Sequence, residues 1–392
     1  MHLKSNLNYM ILQWKKAAAL AAISIVLGKA ASAQTTEKVN IVTTATPFLR
    51  ISPDARSGAM GDAGIAISPD ANATFWNNAK TPFAKSNGQI GFTYTPWLQD
   101  IASDVYLITL GGFYKPDENQ AITGGVRYFN LGQIQLTDES GALQGSSTPK
   151  EFSIELGYSR KVSDKFGVGI TGRFINSNLG TGNISSSEGD VVYKVGHAFA
   201  ADLSGYYNGL DDVGEGFTAG LTLSNLGTKI SYTNDADSKQ FIPANLGLGG
   251  AYHFVLDDEN KLTFALDLNH LLVPKAPDNV GTDEVDQQQL ADYYSTGVVS
   301  SWGKSFSNSA YQESLGGEYS YNDLFFVRAG YHAESKGAGD RNYFTAGVGI
   351  KYQVMNFNFA YLAPSGSSTN RNPLSNTLRF SLVFDLGSQK NY

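Results

Sequence analysis

Phe152-Ser153-Ile154-Glu155-Leu156-Gly157-Tyr158-Ser159 alternates apolar and polar or small residues without a break. Successive side chains of a strand point to opposite faces, so this stretch has one apolar and one polar face. A helical period of about 3.6 does not fit it. The same alternation runs through 217–224, 262–269, 344–352 and 378–385. Each run has the length of about 9–11 residues with which a tilted strand crosses a bilayer. Read this way, the chain holds fourteen strands: 88–96, 104–114, 120–130, 150–160, 166–176, 193–207, 216–226, 244–254, 261–270, 311–320, 324–333, 342–352, 355–362 and 376–386. The expected fold is all-β, a 14-stranded antiparallel transmembrane β-barrel.

The polar face carries charge of both signs: Arg127, Glu155, Arg173, Asp267, Arg328, Arg379 and Asp385 all oppose the apolar face. Such groups can pair or meet water in a lumen, whereas an Arg at mid-depth on the lipid face would cost about 2–4 kcal/mol. A soluble β-sandwich with a wet outer face is the competing reading. Aromatic residues near strand ends favour the barrel, since interfacial girdles belong there: Tyr94, Trp97, Tyr158, Tyr252, Phe254, Tyr331, Tyr352 and Tyr361. Short connections at Ser163-Asp164, 257–260, Asn322-Asp323 and Gln353 alternate with long polar ones at 131–149, 177–192, 227–243, 271–310 and 363–375. That is the expected contrast of periplasmic turns and extracellular loops.

The beginning of the chain supplies an address. Lys15 and Lys16 precede an apolar run from Ala17 to Leu27, and Ala31-Ser32-Ala33 follows with small residues. This is the layout of a secretory signal peptide over 1–33, cleaved near Ala33/Gln34. The apolar run is shorter than the roughly 20 residues of a spanning helix. The chain has a net charge of −7, and the leader carries four of its lysines and no acid, so nucleic acid is an unfavourable partner. No cysteine is present, which removes disulfides, thiolate metal sites and a Cys nucleophile.

Motifs of catalysis are absent from the sequence: there is no HExxH, GxSxG, P-loop or CxxC pattern. His197, His253, His270 and His332 are not at metal-ligand spacing. His253 and His332 fall on the polar face near strand ends, where a barrel-embedded lipid deacylase would need a Ser–His pair; a hydrogen-bonded structural histidine is the alternative. The 271–310 segment is acidic at Asp278, Asp283, Glu284, Asp286 and Asp292, but it lacks calcium-loop spacing and reads as a solvated loop. The expectation is no enzyme, no cofactor and no metal.

Residues 34–86 do not alternate, carry four prolines and include the small-residue run Ser57-Gly58-Ala59-Met60-Gly61-Asp62-Ala63-Gly64. Small residues let backbone pack closely, so this segment is expected in or across the lumen. The run Thr46 to Gly64, then Pro69-Asp70-Ala71-Asn72-Ala73 and Trp76-Asn77-Asn78-Ala79, resembles the N-terminal signature of the PorV family of type IX secretion barrels. So do Tyr94-Thr95-Pro96-Trp97-Leu98, Arg127 to Gly132, Leu156 to Lys161, Arg328 to Tyr331 and Asn372 to Phe380. The small-residue run and Trp76-Asn77 are shared more widely, with FadL-type transporters and PorQ. Asn78 stands where the family carries a proline.

The resemblance implies a FadL-like barrel in the cell outer membrane. It implies a protein that binds the C-terminal signal domain of cargo emerging from the type IX translocon barrel and carries it to the surface sortase and attachment complex. Outer-membrane lipid completes the expected partners. The family motif puts Gly58, Met60, Gly61, Asp62, Gly64, Trp76 and Asn77 in the luminal segment. Loop aromatics are candidates for partner contact because aromatics are enriched at binding hot spots: Tyr232, Phe241, Tyr293, Tyr294 and Trp302, with Phe306 beside them. Packing within the loops is the other reading of the same residues. The expected organisation is 1–33 leader, 34–86 luminal or hatch-like segment, 87–386 barrel and 387–392 tail. A FadL-type transporter of hydrophobic small molecules and a lipopolysaccharide deacylation factor are the alternative functions.

Overall fold

In the computed structural model the described residues are 41–97, 102–137, 143–186, 189–234, 239–277, 284–365 and 377–387. The leader and its cleavage site lie outside them, as do Leu98, Asp278, Asp283, the start of the 372–380 motif and most of the tail.

Eighteen strands form among the described residues. The first nine are β1 (Gly88–Pro96), β2 (Val105–Asp117), β3 (Gln120–Leu131), β4 (Ile134–Thr137), β5 (Leu143–Ser147), β6 (Lys150–Lys161), β7 (Phe166–Asn178), β8 (Gly182–Ser186) and β9 (Gly189–Tyr193). The others are β10 (Gly196–Leu210), β11 (Gly216–Gly227), β12 (Asn245–Val255), β13 (Asn260–Leu271), β14 (Tyr311–Tyr321), β15 (Phe325–Glu334), β16 (Asn342–Tyr352), β17 (Met355–Pro364) and β18 (Thr377–Asp385). Fourteen of them, all but β4, β5, β8 and β9, close into one antiparallel barrel. The seam pairs β1 with β18, from Gln89 opposite Asp385 to Tyr94 opposite Phe380.

Burial along the strands is the reverse of a soluble sheet. On β6 the apolar Ile154 and Leu156 are 52% and 68% exposed, while Glu151, Ser153, Glu155 and Ser159 are buried. Leu110, Ile122, Val168, Leu221, Leu248, Val348 and Phe380 are likewise exposed on their strands. A surface this apolar is stable only against lipid, and a closed barrel satisfies its backbone hydrogen bonds there. No described helix is long and apolar enough to cross a membrane.

Turns explain the tight end. Asn322 and Asp323 both have positive φ, 54° and 52°, the paired left-handed geometry of a two-residue hairpin turn that Asn and Asp tolerate well. Gln353 makes its own turn with φ 53°.

The looped end departs from the sequence reading. Segments 131–149 and 177–192 contain the hairpins β4–β5 and β8–β9 rather than irregular loops. The strand expected from 193 starts at Gly196 and runs to Leu210, because β9 ends at Tyr193. Segment 271–310 is largely helical, at Glu284–Ser295 and Val298–Lys304. Trp97 does not join a girdle; it is buried in a cluster with Phe48, Leu49, Leu107 and Phe129.

The buried polar face packs against residues 47–86. This segment makes short helical turns at Pro47–Arg50, Ala55–Gly58, Ala73–Trp76 and Asn78–Phe83. It bonds to β2 through Thr109 Oγ1 and Pro53 O (2.6 Å), to β3 through Arg127 and Leu49 O (2.9 Å), and to β6 and β7 through Asn78 Nδ2 (3.2 Å each). Ala79 N reaches Ser204 on β10, Ala66 O accepts from Thr218 on β11, and Ala55 N donates to Ser381 on β18. Contacts with β13 to β16 are given below; Ile65 lies against Gly249 on β12, Ala71 against Gly91 on β1, and Ala55 and Ala59 against Ala360 on β17. The segment thus touches every strand of the barrel. Asn78, the departure from the family pattern, supplies two of these ties.

Candidate functional site: the N-terminal segment and the looped rim

Asp54 starts the arrangement. It caps Ala55–Gly58, its Oδ1 accepting from Ser57 N at 2.8 Å. Its Oδ2 accepts from Trp76 Nε1 at 2.7 Å. The cap therefore ties the small-residue run to the Trp76-Asn77 motif, and Gly64 lies against the Trp76 ring with no room for a Cβ. We expect Trp76→Phe to destabilise the barrel by about 1–3 kcal/mol, because it strips a donor from a buried carboxylate. The urea midpoint of the protein in detergent measures it; an unchanged midpoint would contradict the tie.

The turn at Gly61 and Asp62 has consecutive positive φ values, 67° and 64°. Gly61 N donates to Thr345 Oγ1 at 2.8 Å, and that hydroxyl donates to Ala59 O at 2.9 Å. Asp62 accepts from the Tyr343 hydroxyl at 2.6 Å and from Arg379 at 3.2 Å. Arg379 also covers Gly58, and Met60 is buried against Gly316 on β14. Gly64 N and Ile65 N share one oxygen of Asp267 on β13, at 2.7 and 2.8 Å. Lys80 Nζ donates to Gly64 O at 2.6 Å. Asn77 Nδ2 donates to Ile65 O and Gly205 O, and its Oδ1 accepts from Ala79 N at 3.0 Å. All seven residues singled out from the family motif are thus brought into one connected arrangement.

Ion pairs fix the rest of the segment. Arg56 makes a two-pronged contact with Glu318 on β14, 3.0 Å at each prong, and reaches Asp70 at 3.1 Å. Glu318 also takes Arg328 Nε at 2.6 Å. Arg50 meets Glu334 on β15 at 3.2 Å. In the wall itself, Arg173 binds Glu155 at 2.9 Å and Asp202 at 2.7 Å, with Arg127 at 3.5 Å from Glu155. Asp54, Arg56 and Lys80 were not singled out by the sequence; only Asp54, three residues before Ser57, carried a local signal, that of a helix cap.

The loop aromatics divide. Phe241 is 4% exposed and packs with Val42, Leu271 and Val273, while Tyr293 meets it edge-on at 5.5 Å and Tyr294 meets Tyr293 at 5.4 Å. Trp302 and Phe241 wall one small cleft. Tyr232 stands apart, its hydroxyl donating to Ser177 at 2.9 Å. Phe306 is exposed and stacks on His270 at 5.6 Å. Phe241 is a packing residue in this conformation; Tyr293, Tyr294 and Trp302 retain partial exposure at the rim.

Ser314 Oγ is 3.0 Å from His332 Nδ1, the pairing a deacylase would need. Ser314 is buried, and the Glu334 carboxylate beyond His332 is committed to Arg341, Arg50 and Gln312. His253 bonds Thr218 and Thr263. Among the described residues no group of three or more His, Asp or Glu is placed to hold a metal ion.

A closed antiparallel barrel with a lipid-compatible exterior and a polar, ion-paired inner face defines an outer-membrane β-barrel protein. Its fold is similar to that of the toluene transporter TbuX of Ralstonia pickettii, with a TM-score of 0.53, 12% identity and coverage of 85% of this chain and 97% of that one. It is also similar to the monoaromatic hydrocarbon channel CymD, with a TM-score of 0.53, 12% identity and coverage of 89% and 99%. At these identities the likeness shows the fold alone. No curated protein sequence matches the chain. The family described as type IX secretion system protein PorV matches residues 33–278, more than half of the chain. The chain belongs to the PorV family and is an outer-membrane component of type IX secretion.

Proposed function

We propose that this protein is a membrane-anchored cargo carrier. It binds the C-terminal signal domain of proteins leaving the type IX translocon barrel and passes them to the surface sortase and attachment complex. The observation that carries the reading is the tie of residues 47–86 to every strand. A segment in contact with every strand makes the barrel a rigid anchor, and the working surface is then the looped rim. In this organisation residues 1–33 are a removed leader, 34–86 the luminal or hatch-like segment, 87–386 the barrel and 387–392 a tail. The carrier performs no chemistry of its own. A second reading, passage of hydrophobic small molecules, has the fold likeness in its favour. Against it stand the Arg173 and Glu318 ion-pair networks on the inner face, which offer an apolar ligand no matching surface.

The test is a pull-down of the tagged mature protein from gently solubilised outer membranes, with companions identified by mass spectrometry. We expect a very large barrel and secreted proteins that still carry their signal domains. A lone barrel holding hydrocarbon or fatty acid would transfer the assignment to transport. Deleting 277–291 should abolish cargo recovery while the barrel still assembles; full recovery would remove the 271–310 segment from the contact surface.

A further inference from the structure

Three lysines of an acidic chain line one groove at the looped end. Lys194 precedes β10, Lys229 follows β11, and Lys239 lies on the return of the same loop. The groove has a volume of about 710 Å³; His197, Tyr294 and residues 295–298 are among those that line it with the lysines, and no described residue lining it is acidic. Backbone pairing builds it. Lys194 N donates to Tyr232 O at 2.8 Å, Tyr193 pairs with Thr233, and Ile230 and Gln240 exchange bonds of 2.9 and 2.8 Å. Lys229 Nζ is anchored on Tyr294 O at 2.7 Å, 4.1 Å above the Phe241 ring. Burial and the Lys239 charge both lower the Lys229 pKa, so these two cations repel one another in the groove.

The level of the groove is set by β10. His197 lies two residues from Phe199 on the same exposed face, and Phe199 is 65% exposed. Phe174 packs on both rings, at 5.9 and 5.3 Å. Girdles of aromatic residues flank the apolar band of outer-membrane barrels at both interfaces. His197 belongs both to that cluster and to the groove lining, so the groove borders the exposed aromatic band. Lysine ammonium is a compact charge with three donors, suited to phosphate oxygens rather than to planar two-pronged recognition.

We propose that the Lys194–Lys229–Lys239 groove binds the phosphorylated headgroup of an outer-leaflet lipid. An acidic protein segment would satisfy the same charges, but it would not explain their placement at the rim of the apolar band. The site is independent of the cargo-carrier reading. Asp235 and Asp237 adjoin Lys239 in sequence and lie outside the described residues; if they neutralise the lysines, removing the lysines changes nothing.

The test is native mass spectrometry of the mature protein in detergent, titrated with diphosphoryl lipid A, inorganic phosphate or a short polyglutamate peptide. In the K194Q/K229Q/K239Q variant the lipid A dissociation constant should rise at least about tenfold, because three cations beside an anionic headgroup are removed. The K85Q/K261Q/K351Q variant at the opposite end should bind as the parent does. Lys239→Glu alone, at an exposed position, should weaken binding without disturbing packing. Unchanged binding in the glutamine variant or in Lys239→Glu overturns the proposal, as does an equal loss in the opposite-end variant. Displacement of lipid A by polyglutamate would make the site one for an acidic protein, and displacement by dilute inorganic phosphate one for a free anion; either result overturns the lipid assignment.

Discussion

Replacing Arg173 by methionine should destabilise the barrel by about 3–5 kcal/mol, the cost of leaving buried charges without their partner. Arg173, on β7, is buried where it reaches three other strands. It holds Glu155 on β6, Asp202 on β10 and the side chain of Asn225 on β11. Asn225 is the extra residue where the β10–β11 register shifts; its φ is 55° and its amide donates to Asp202 Oδ1 at 2.7 Å. Methionine fills much of the volume, so packing changes little and the loss is electrostatic. The double variant R173M/D202N should recover most of the stability, because Glu155 keeps Arg127 as its partner and no buried carboxylate is then stranded. Unfolding in urea from detergent or bilayers measures both. A single variant within about 1 kcal/mol of the parent, the range of exposed pairs, would show that water screens the site.

Gly61→Val should cost at least about 3 kcal/mol and unseat the N-terminal segment. Two effects add. The residue has φ 67°, which a β-branched side chain adopts only under strain. A Cβ there would also come within 2.7 Å of both Leu315 O and Tyr331 N, backbone atoms of β14 and β15 that cannot swing aside. Gly214→Ala separates the two effects: its φ is 89° but nothing lies within 4 Å of the added carbon, so only strain of about 1 kcal/mol is expected. Protease cleavage within 47–86 should rise sharply in Gly61→Val and not in Gly214→Ala. Resistance equal to the parent's would refute the seating account.

The wall of the barrel was legible because lipid imposes a rule at every second position. β1 and β16 start and stop where alternation alone puts them, at 88–96 and 342–352. The face assignments of Arg127, Glu155, Arg173, Asp267, Arg328 and Arg379 follow from the same rule, and all six are buried. No such rule governs the rim. β4, β5, β8 and β9 are short and polar, and the helix Glu284–Ser295 has no apolar stripe strong enough to set a period. Trp97 shows another limit: position at a strand end suggests a girdle, and only the packing of Phe48 and Leu49 decides otherwise. The family motif marked which residues of the segment matter but not what they hold. Their partners are side chains and carbonyls far away in sequence, as Gly64 and Asp267 are, 203 positions apart.

Those separations have a consequence for biogenesis. Ala55 finds its Ser381 partner across 326 positions, and Gly61 its Thr345 partner across 284. The part of the chain made first therefore waits for the part made last. Contacts so distant in sequence form slowly, and until they form the unpaired edges of β1 and β18 are open to association with other chains. Delivery to the membrane must bridge that interval, and a chain that ended before Thr377 would lack both the last stave and the hydroxyl that receives the amide of Ala55.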